Sequence, residues 1–365
     1  MSSMDWLLRL LGILCVGLAV VDVYLTVLFP RSGVGLLSSR LHTAWWRILR
    51  LIAGGSTFLR RNLLPHAGPL LLMMDMLVWS SLLLGGFALI VWPELGSGIQ
   101  SSGKEPTPQD FGAALYYAGY SLTTLGTGDL VPTTGTMRLL MVAQAGLGFS
   151  VLTLSLTYFM SVYSALARRN RFALSLHHQA SGGDAIRLLS GLMQGSDSAT
   201  QREFSDINTN LNDLYESHHL YSIVHYFYLP EAHYSMARML FLSLDSVSLV
   251  CTALDSQEFQ RLTRTASVEG VWRSGRHILE DLSQSFLPTS WRTDTSADDE
   301  ERMAWKSHYQ HAVETLQQSG MKTTPDVEAG WQRYQELRAQ WNGLTHSFCE
   351  YMAHDWQDIV RTNHN

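Results

Sequence analysis

The sequence is poor in cysteine, sparing with charge and empty of catalytic signatures. Three cysteines in 365 residues, Cys15, Cys251 and Cys349, are too few and too scattered for a disulfide framework. Cys15 lies inside an apolar run and the other two sit in helical patterns, so each reads as a buried thiol. The polar half of the chain then reads as one that resides in a reducing compartment. Charged residues make up only 16% of the chain. No P-loop, no G-x-G-x-x-G after a strand and no nucleophile motif is present, and an enzyme is not expected. Fourteen histidines include the pairs His177 and His178, His218 and His219, and His308 and His311, but none completes a ligand set at zinc spacing. Neither a cofactor nor a nucleic-acid partner is expected.

What is present is unevenly spread. Residues 1–171 carry 12 basic and 7 acidic residues, and residues 172–365 carry 14 basic and 25 acidic. A basic, apolar front joined to an acidic, polar back suggests a membrane domain followed by a soluble one. Three apolar runs stand in the front half: Trp6 to Phe29, Pro69 to Trp92 and Met137 to Ala167. Each reaches the ~20 residues a bilayer crossing needs. The first lacks the basic start and small-residue cleavage site of a signal peptide and is expected to be retained. The third, as a helix of 31 residues, would extend about 46 Å, beyond the roughly 30 Å core, and should project into water.

Basic residues beside the runs set an orientation. Arg31, Arg40, Arg47, Arg50, Arg60 and Arg61 lie between runs one and two, and Arg168, Arg169 and Arg171 follow run three. Both clusters are expected in the cytoplasm, with the amino terminus and residues 93–136 outside and the carboxyl terminus inside. The stretch Ser39 to Leu64 mixes arginine, tryptophan and leucine in the manner of an interfacial helix. Asp22 and Asp75 fall within runs one and two, where ionisable groups are costly; pairing with cytoplasmic arginines is the expectation. Run one has no repeated arginine pattern, so it is not read as a voltage sensor.

Between runs two and three, residues 95–108 have a loop composition. "QDFGAALYYAGYSLT", residues 109–123, then forms a helical stretch of only about 22 Å, too short to cross. It opens with Asp110, suited to the positive end of a helix. The chain is expected to enter the membrane as a half-helix and return as extended backbone, which is tolerated there only in protein or along a wet cavity. That backbone reads "TLGTGD", Thr124, Leu125, Gly126, Thr127, Gly128 and Asp129. Stacked carbonyls can replace the water shell of a cation. The strand must then alternate between ordinary and positive φ, which glycine does without steric cost.

In this context, residues 69–167 resemble the pore domain of the tetrameric potassium-channel family, whose filter reads Thr-Val-Gly-Tyr-Gly-Asp. The resemblance implies potassium sites at Thr124, Leu125, Gly126 and Thr127, with Gly128 closing the filter and Asp129 forming an acidic outer mouth. It also implies an aromatic pair, Tyr116 and Tyr117, supporting the filter, and a hinge glycine in the inner helix at Gly148 or its neighbour Gly146. A packing role for the small residue is the alternative there. Thr127 departs from the family, which has an aromatic wedge at that place; its β-branched side chain is stiff and its hydroxyl can bond to the pore helix. Each chain holds one such segment, so four chains must assemble with cyclic symmetry.

Residues 172–365 read as helices with scarce strand-like alternation. Helices are expected from Asp184, from Thr200 to Phe227, from Pro230 through Asp255, from Ser267 to Phe286, from Ala297 to Gln318 and from Val327 to Trp356, the last with Pro325 in its first turn. The apolar middle of the third is read as a buried core helix, because Arg238, Asp245 and its serines do not suit a span. The Rossmann-type regulatory domain of many bacterial relatives of the potassium channels is not visible. The expected fold class is an all-α membrane protein. It has a first span in residues 1–30, a basic cytoplasmic linker at 31–68, a pore domain at 69–167 and a cytoplasmic helical domain at 168–365. The expected function is a homotetrameric, potassium-selective channel of the plasma membrane, passively conducting and gated at the inner helix. Its expected partners are other copies of itself, the lipid bilayer, potassium ions, and an unidentified regulatory ligand or protein at the cytoplasmic domain. The alternatives are a weakly selective cation channel and a non-conducting membrane sensor or scaffold.

Overall fold

The computed structural model describes residues 3–29, 35–54, 56–292 and 297–360; Arg31 lies outside them. The chain is predominantly helical and falls into two units. The first comprises residues 1–47 and 68–163, the second residues 48–67 and 164–365. Among the described residues, three helices are long and apolar enough to cross a membrane, spanning Ser3–Leu28, Thr57–Glu94 and Gly135–Gln179.

In the first unit, α1 (Ser3–Val23) runs into a wider turn at Tyr24–Leu28 and packs on α4 (Ala67–Val91). The two helices approach at glycines. A Cβ on Gly12 would lie 2.5 Å from the Gly86 carbonyl oxygen, and one on Gly86 would lie 2.9 Å from that of Gly12. Small residues at such crossings let backbones meet where no hydrophobic effect drives association.

The two intramembrane aspartates correct the expectation of arginine partners. Asp22 accepts hydrogen bonds from the Leu37 amide (2.7 Å), the Ser38 hydroxyl (2.6 Å) and the Trp79 indole (2.8 Å). Asp75 lies 2.8 Å from His42 Nε2, and both side chains are buried. Neutral donors from Leu37, from Ser38 of α2 (Ser38–Ala53) and from Trp79 of α4 satisfy Asp22 without burying a long cation. Arg50, on the same α2, instead lies over the rings of Trp291 and Tyr351, 4.4 Å and 5.2 Å from their centroids, within the second unit.

The loop expected over residues 95–108 contains a strand, Ile99–Ser101 (β1), which pairs antiparallel with Leu130–Pro132 (β2), Gln100 lying opposite Val131. The pore-helix stretch is α5 (Phe111–Leu122), and α6 (Gly135–Gln179) is a single long helix contributing to both units.

The second unit is built around α9 (Met236–Thr252), nearly all of which is buried. It contacts α7 (Ala185–Leu192), α11 (Ala266–Phe286), α13 (Val327–Ala339), α14 (Asn342–Tyr351) and α15 (Trp356–Val360). The remaining helices are α3 (Thr57–Leu63), α8 (Asp197–Leu220), α10 (Gln260–Thr263) and α12 (Asp299–Gln318). The polar residues of α9 are satisfied internally: the hydroxyls of Ser243, Ser246, Ser248 and Thr252 each donate to the carbonyl four residues back. Asp245 accepts from Tyr334 (2.6 Å), lies 2.8 Å from His308 and pairs with Arg338 (3.2 Å). The Arg338 guanidinium lies within 5.2–5.7 Å of the ring centroids of Phe241, Trp305, Tyr334 and Trp341. A buried charge of this kind persists only because it is paired and hydrogen-bonded. These bonds explain how a helix with span-like hydropathy carries Asp245 in a packed core.

Several helix bounds shift from the sequence expectation. α9 begins at the Ser235 cap, whose hydroxyl accepts from Arg238 N, rather than at Pro230. The stretch 327–356 is not one helix: α13 ends at Ala339, α14 runs from Asn342 to Tyr351, and α15 starts only at Trp356. Pro325 precedes the cap instead of entering the first turn, because Asp326 accepts from Ala329 N at 2.9 Å and fixes the start at Val327.

Candidate functional site

The site grows from α5. Asp110 caps it, accepting from Ala113 N at 3.0 Å, and Trp92 Nε1 donates to the Gln109 carbonyl at 3.0 Å. Ala114, Tyr117, Ala118, Tyr120 and Ser121 form its buried face. Gln144 of α6, itself buried, donates to the Ala118 carbonyl at 2.7 Å. At the carboxyl end, the Thr123 hydroxyl returns to Gly119 O (2.8 Å), while the amides of Thr124 and Leu125 donate to Ser121 O and Tyr120 O.

From there the chain leaves as an exposed ribbon, Thr123 to Asp129. Its backbone alternates: Thr124, Gly126 and Gly128 have φ of 59°, 64° and 77°, while Leu125 and Thr127 between them do not have positive φ. A Cβ on Gly126 or Gly128 would meet nothing within 4 Å, so the requirement for glycine there is conformational, not steric. Thr124 adopts the left-handed region without being glycine. Its start is held by the turn bonds of Thr124 and Leu125 to the end of α5.

The ribbon's far end is clamped. Tyr120 OH, from the buried face of α5, donates to the Leu130 carbonyl, Ser102 N donates to Asp129 O at 2.8 Å, and β2 then pairs with β1. Between the two ends a side-chain relay crosses the ribbon. Tyr116 OH donates to Thr127 Oγ1 at 3.1 Å, and Thr127 Oγ1 donates to Asp129 Oδ1 at 2.7 Å. The Thr127 hydroxyl holds the Asp129 carboxyl below the ordinary carboxylate range. Of the tyrosine pair, Tyr116 therefore reaches the ribbon, while Tyr117 is buried edge-on against Tyr120.

The two inner-helix glycines occupy different surroundings. A Cβ on Gly148 would lie 2.0 Å from the Leu122 carbonyl oxygen, whereas one on Gly146 would meet nothing within 4 Å. Tyr120, Gln144 and Ser102 contribute to the site without having been singled out in the sequence. Gln144 carried a signal, a lone amide in an apolar span; Ser102, in a Gly/Ser-rich loop, carried none.

Short helix, alternating ribbon and two flanking spans define an ion-channel type of pore domain. Residues 77–165 match the family model described as "Ion channel". The chain is also similar to the uncharacterized membrane protein YdjJ of Bacillus subtilis (strain 168), at 30% identity over 224 residues. That match covers 60% of this chain and 62% of the relative, less than two thirds of its length. No solved structure matches the chain.

Proposed function

We propose that the protein is a homotetrameric cation channel selective for potassium, conducting passively through the ribbon from Thr124 to Gly128. The observation that carries this reading is the backbone alternation at Thr124, Gly126 and Gly128. Residues of alternating handedness turn successive carbonyls to one side of a ribbon, and four such ribbons around an axis would line a path with oxygens in place of a hydration shell. Potassium would sit at the carbonyls of Thr124, Leu125, Gly126 and Thr127. Four Asp129 carboxylates would raise cation concentration at the outer mouth, and α6 would gate near Gly146 and Gly148. On this reading residues 1–30, 31–68, 69–167 and 168–365 serve as first span, cytoplasmic linker, pore and cytoplasmic regulatory domain. The amino terminus lies outside a plasma membrane and the carboxyl terminus in the cytoplasm.

Thr127 favours one competing reading, a weakly selective pore, because a small hydroxyl stands where the family carries a ring. The test is potassium and sodium flux through the purified full chain in liposomes, with barium as blocker. Barium-sensitive potassium flux well above sodium flux is the expected result. Equal fluxes would replace potassium selectivity with a general cation pore. Absence of flux for both ions, in protein that elutes as a tetramer, would leave the sensor or scaffold reading in its place.

A further inference from the structure

The second unit contains a cavity of about 500 Å³, the size of a small-molecule site. Its wall comes from α3, the end of α6 and the turn after it, the segment between α8 and α9 with Arg238 of α9, and α15 with the turn leading into it. Charges of both signs face it. Arg60 and Arg61 come from α3, and Glu231, Asp355 and Asp358 from the other walls. Among the described residues none of these five forms an ion pair. The Arg60 guanidinium makes only a long contact among the described residues, 3.4 Å to Gly54 O. Arg238, in contrast, is committed to the frame, donating to the carbonyls of Ile359 and Gly183.

The same wall presents aromatic rings in pairs. His177 and His233 stack with centroids 4.5 Å apart, and Tyr228 and His354 stack at 4.7 Å. Burial, with His177 beside it, holds the His233 pKa below its ordinary value, and burial pushes that of His354 down to about 4. Near neutral pH these imidazoles are uncharged and offer both a donor and an acceptor.

Each feature constrains the ligand. Adjacent guanidinium groups with no carboxylate partner suit a phosphate, which they can bind in a forked manner. Three carboxylates on the other walls repel a polyanion and require hydrogen-bond donors or an ammonium group. Ring faces accept a flat or aliphatic body. We propose that this cavity binds a phosphoester that also carries amino-group donors, its phosphate on Arg60 and Arg61 and its amine toward Asp355, Asp358 and Glu231. A soluble nucleoside monophosphate and an ethanolamine phospholipid headgroup both have this chemistry. The proposal stands independently of whether the pore conducts.

The experiment uses the full chain and two probes. Adenosine monophosphate is titrated into detergent-purified protein, and lipid binding is compared in nanodiscs of phosphatidylethanolamine and phosphatidylcholine, the latter lacking N–H donors. At least one probe should bind, and Arg60→Gln/Arg61→Gln should weaken it by about tenfold or more, the loss of one to two charged hydrogen bonds. Asp358→Asn, at an exposed position, should weaken the same probe and stands in should the arginine variant not fold. Saturable binding of the monophosphate assigns a soluble source; preference for phosphatidylethanolamine over phosphatidylcholine assigns a lipid source. Failure of both probes to bind, or binding unchanged in folded variants, overturns the proposal.

Discussion

Thr127 concentrates the chemistry of the ribbon in one hydroxyl. It accepts from Tyr116 and donates to Asp129, so a single hydroxyl links α5, the middle of the ribbon and its far end where a large ring would act by bulk. Two substitutions separate bulk from bonding. Thr127→Val keeps the β-branched shape but removes both bonds, each worth about 1 kcal/mol net. The ratio of potassium to sodium permeability, read from reversal potentials, should fall roughly fivefold or more by the same arithmetic. Thr127→Tyr restores the wedge, and its ratio should equal or exceed that of the unmodified protein. A valine variant with an unchanged ratio would show that the relay restrains nothing that selectivity depends on; a tyrosine variant with a lower ratio would show that the surrounding α5 packing is already fitted to threonine.

At the scale of elements, α6 separates the roles of two glycines that stand two residues apart. Gly148 touches the Leu122 carbonyl so closely that a methyl group there would overlap backbone, while Gly146 has open space around it. Gly148→Ala should therefore push α6 off the end of α5, at a cost of about 1–3 kcal/mol as overpacking, seen as a lowered melting temperature of the full chain. Gly146→Ala should leave the melting temperature in place or raise it, since alanine favours helix by about 1 kcal/mol over glycine, and should change open probability if α6 bends there. Equal melting temperatures for the two variants would contradict the packing role of Gly148. The sequence made much of this legible. Apolar length marked α1, α4 and α6, and glycine spacing marked the ribbon, because both signals are local. The break after α13 was not legible. No proline falls there, and the chain turns at Trp341 because its fully buried ring packs on Phe241 and its indole reaches Ser248 at 3.4 Å; tertiary packing overrides helical propensity. Strands β1 and β2, three residues each, are too short to show alternation. The His42–Asp75 pair joins residues 33 apart, a distance at which periodicity carries no information.

For the molecule as a whole, the acidic half hides titratable groups that couple its fold to pH. His218 and His225 are almost wholly buried, at 1% and 2% exposure, and their rings lie 6.1 Å apart. Burial, with Arg169 nearby, pushes the His218 pKa from its ordinary 6.5 to about 3, and burial together with His218 holds that of His225 well below its ordinary value. Arg169 is itself fixed to the segment bearing His225, donating to Val224 O at 3.1 Å and Phe227 O at 2.8 Å. Protonating either imidazole would place a second cation beside it without a carboxylate in hydrogen-bond contact. The sign follows from linkage. Below about pH 6.5 the unfolded chain binds protons at these histidines that the folded chain refuses, so stability falls as pH drops through that value and continues to fall toward pH 3. Each histidine contributes roughly 1 kcal/mol per pH unit in this window, and each kcal/mol moves the melting temperature of a unit this size by about 2–4 °C. Thermal unfolding of the full chain in detergent should therefore show a transition that drops by several degrees between pH 7 and pH 5.5. His218→Gln/His225→Gln should begin lower at neutral pH, since glutamine fills the sites less well, and should flatten the dependence, because no imidazole remains to be charged. A double variant with the full pH slope would assign the acid sensitivity to other groups and leave these two histidines as core packing alone.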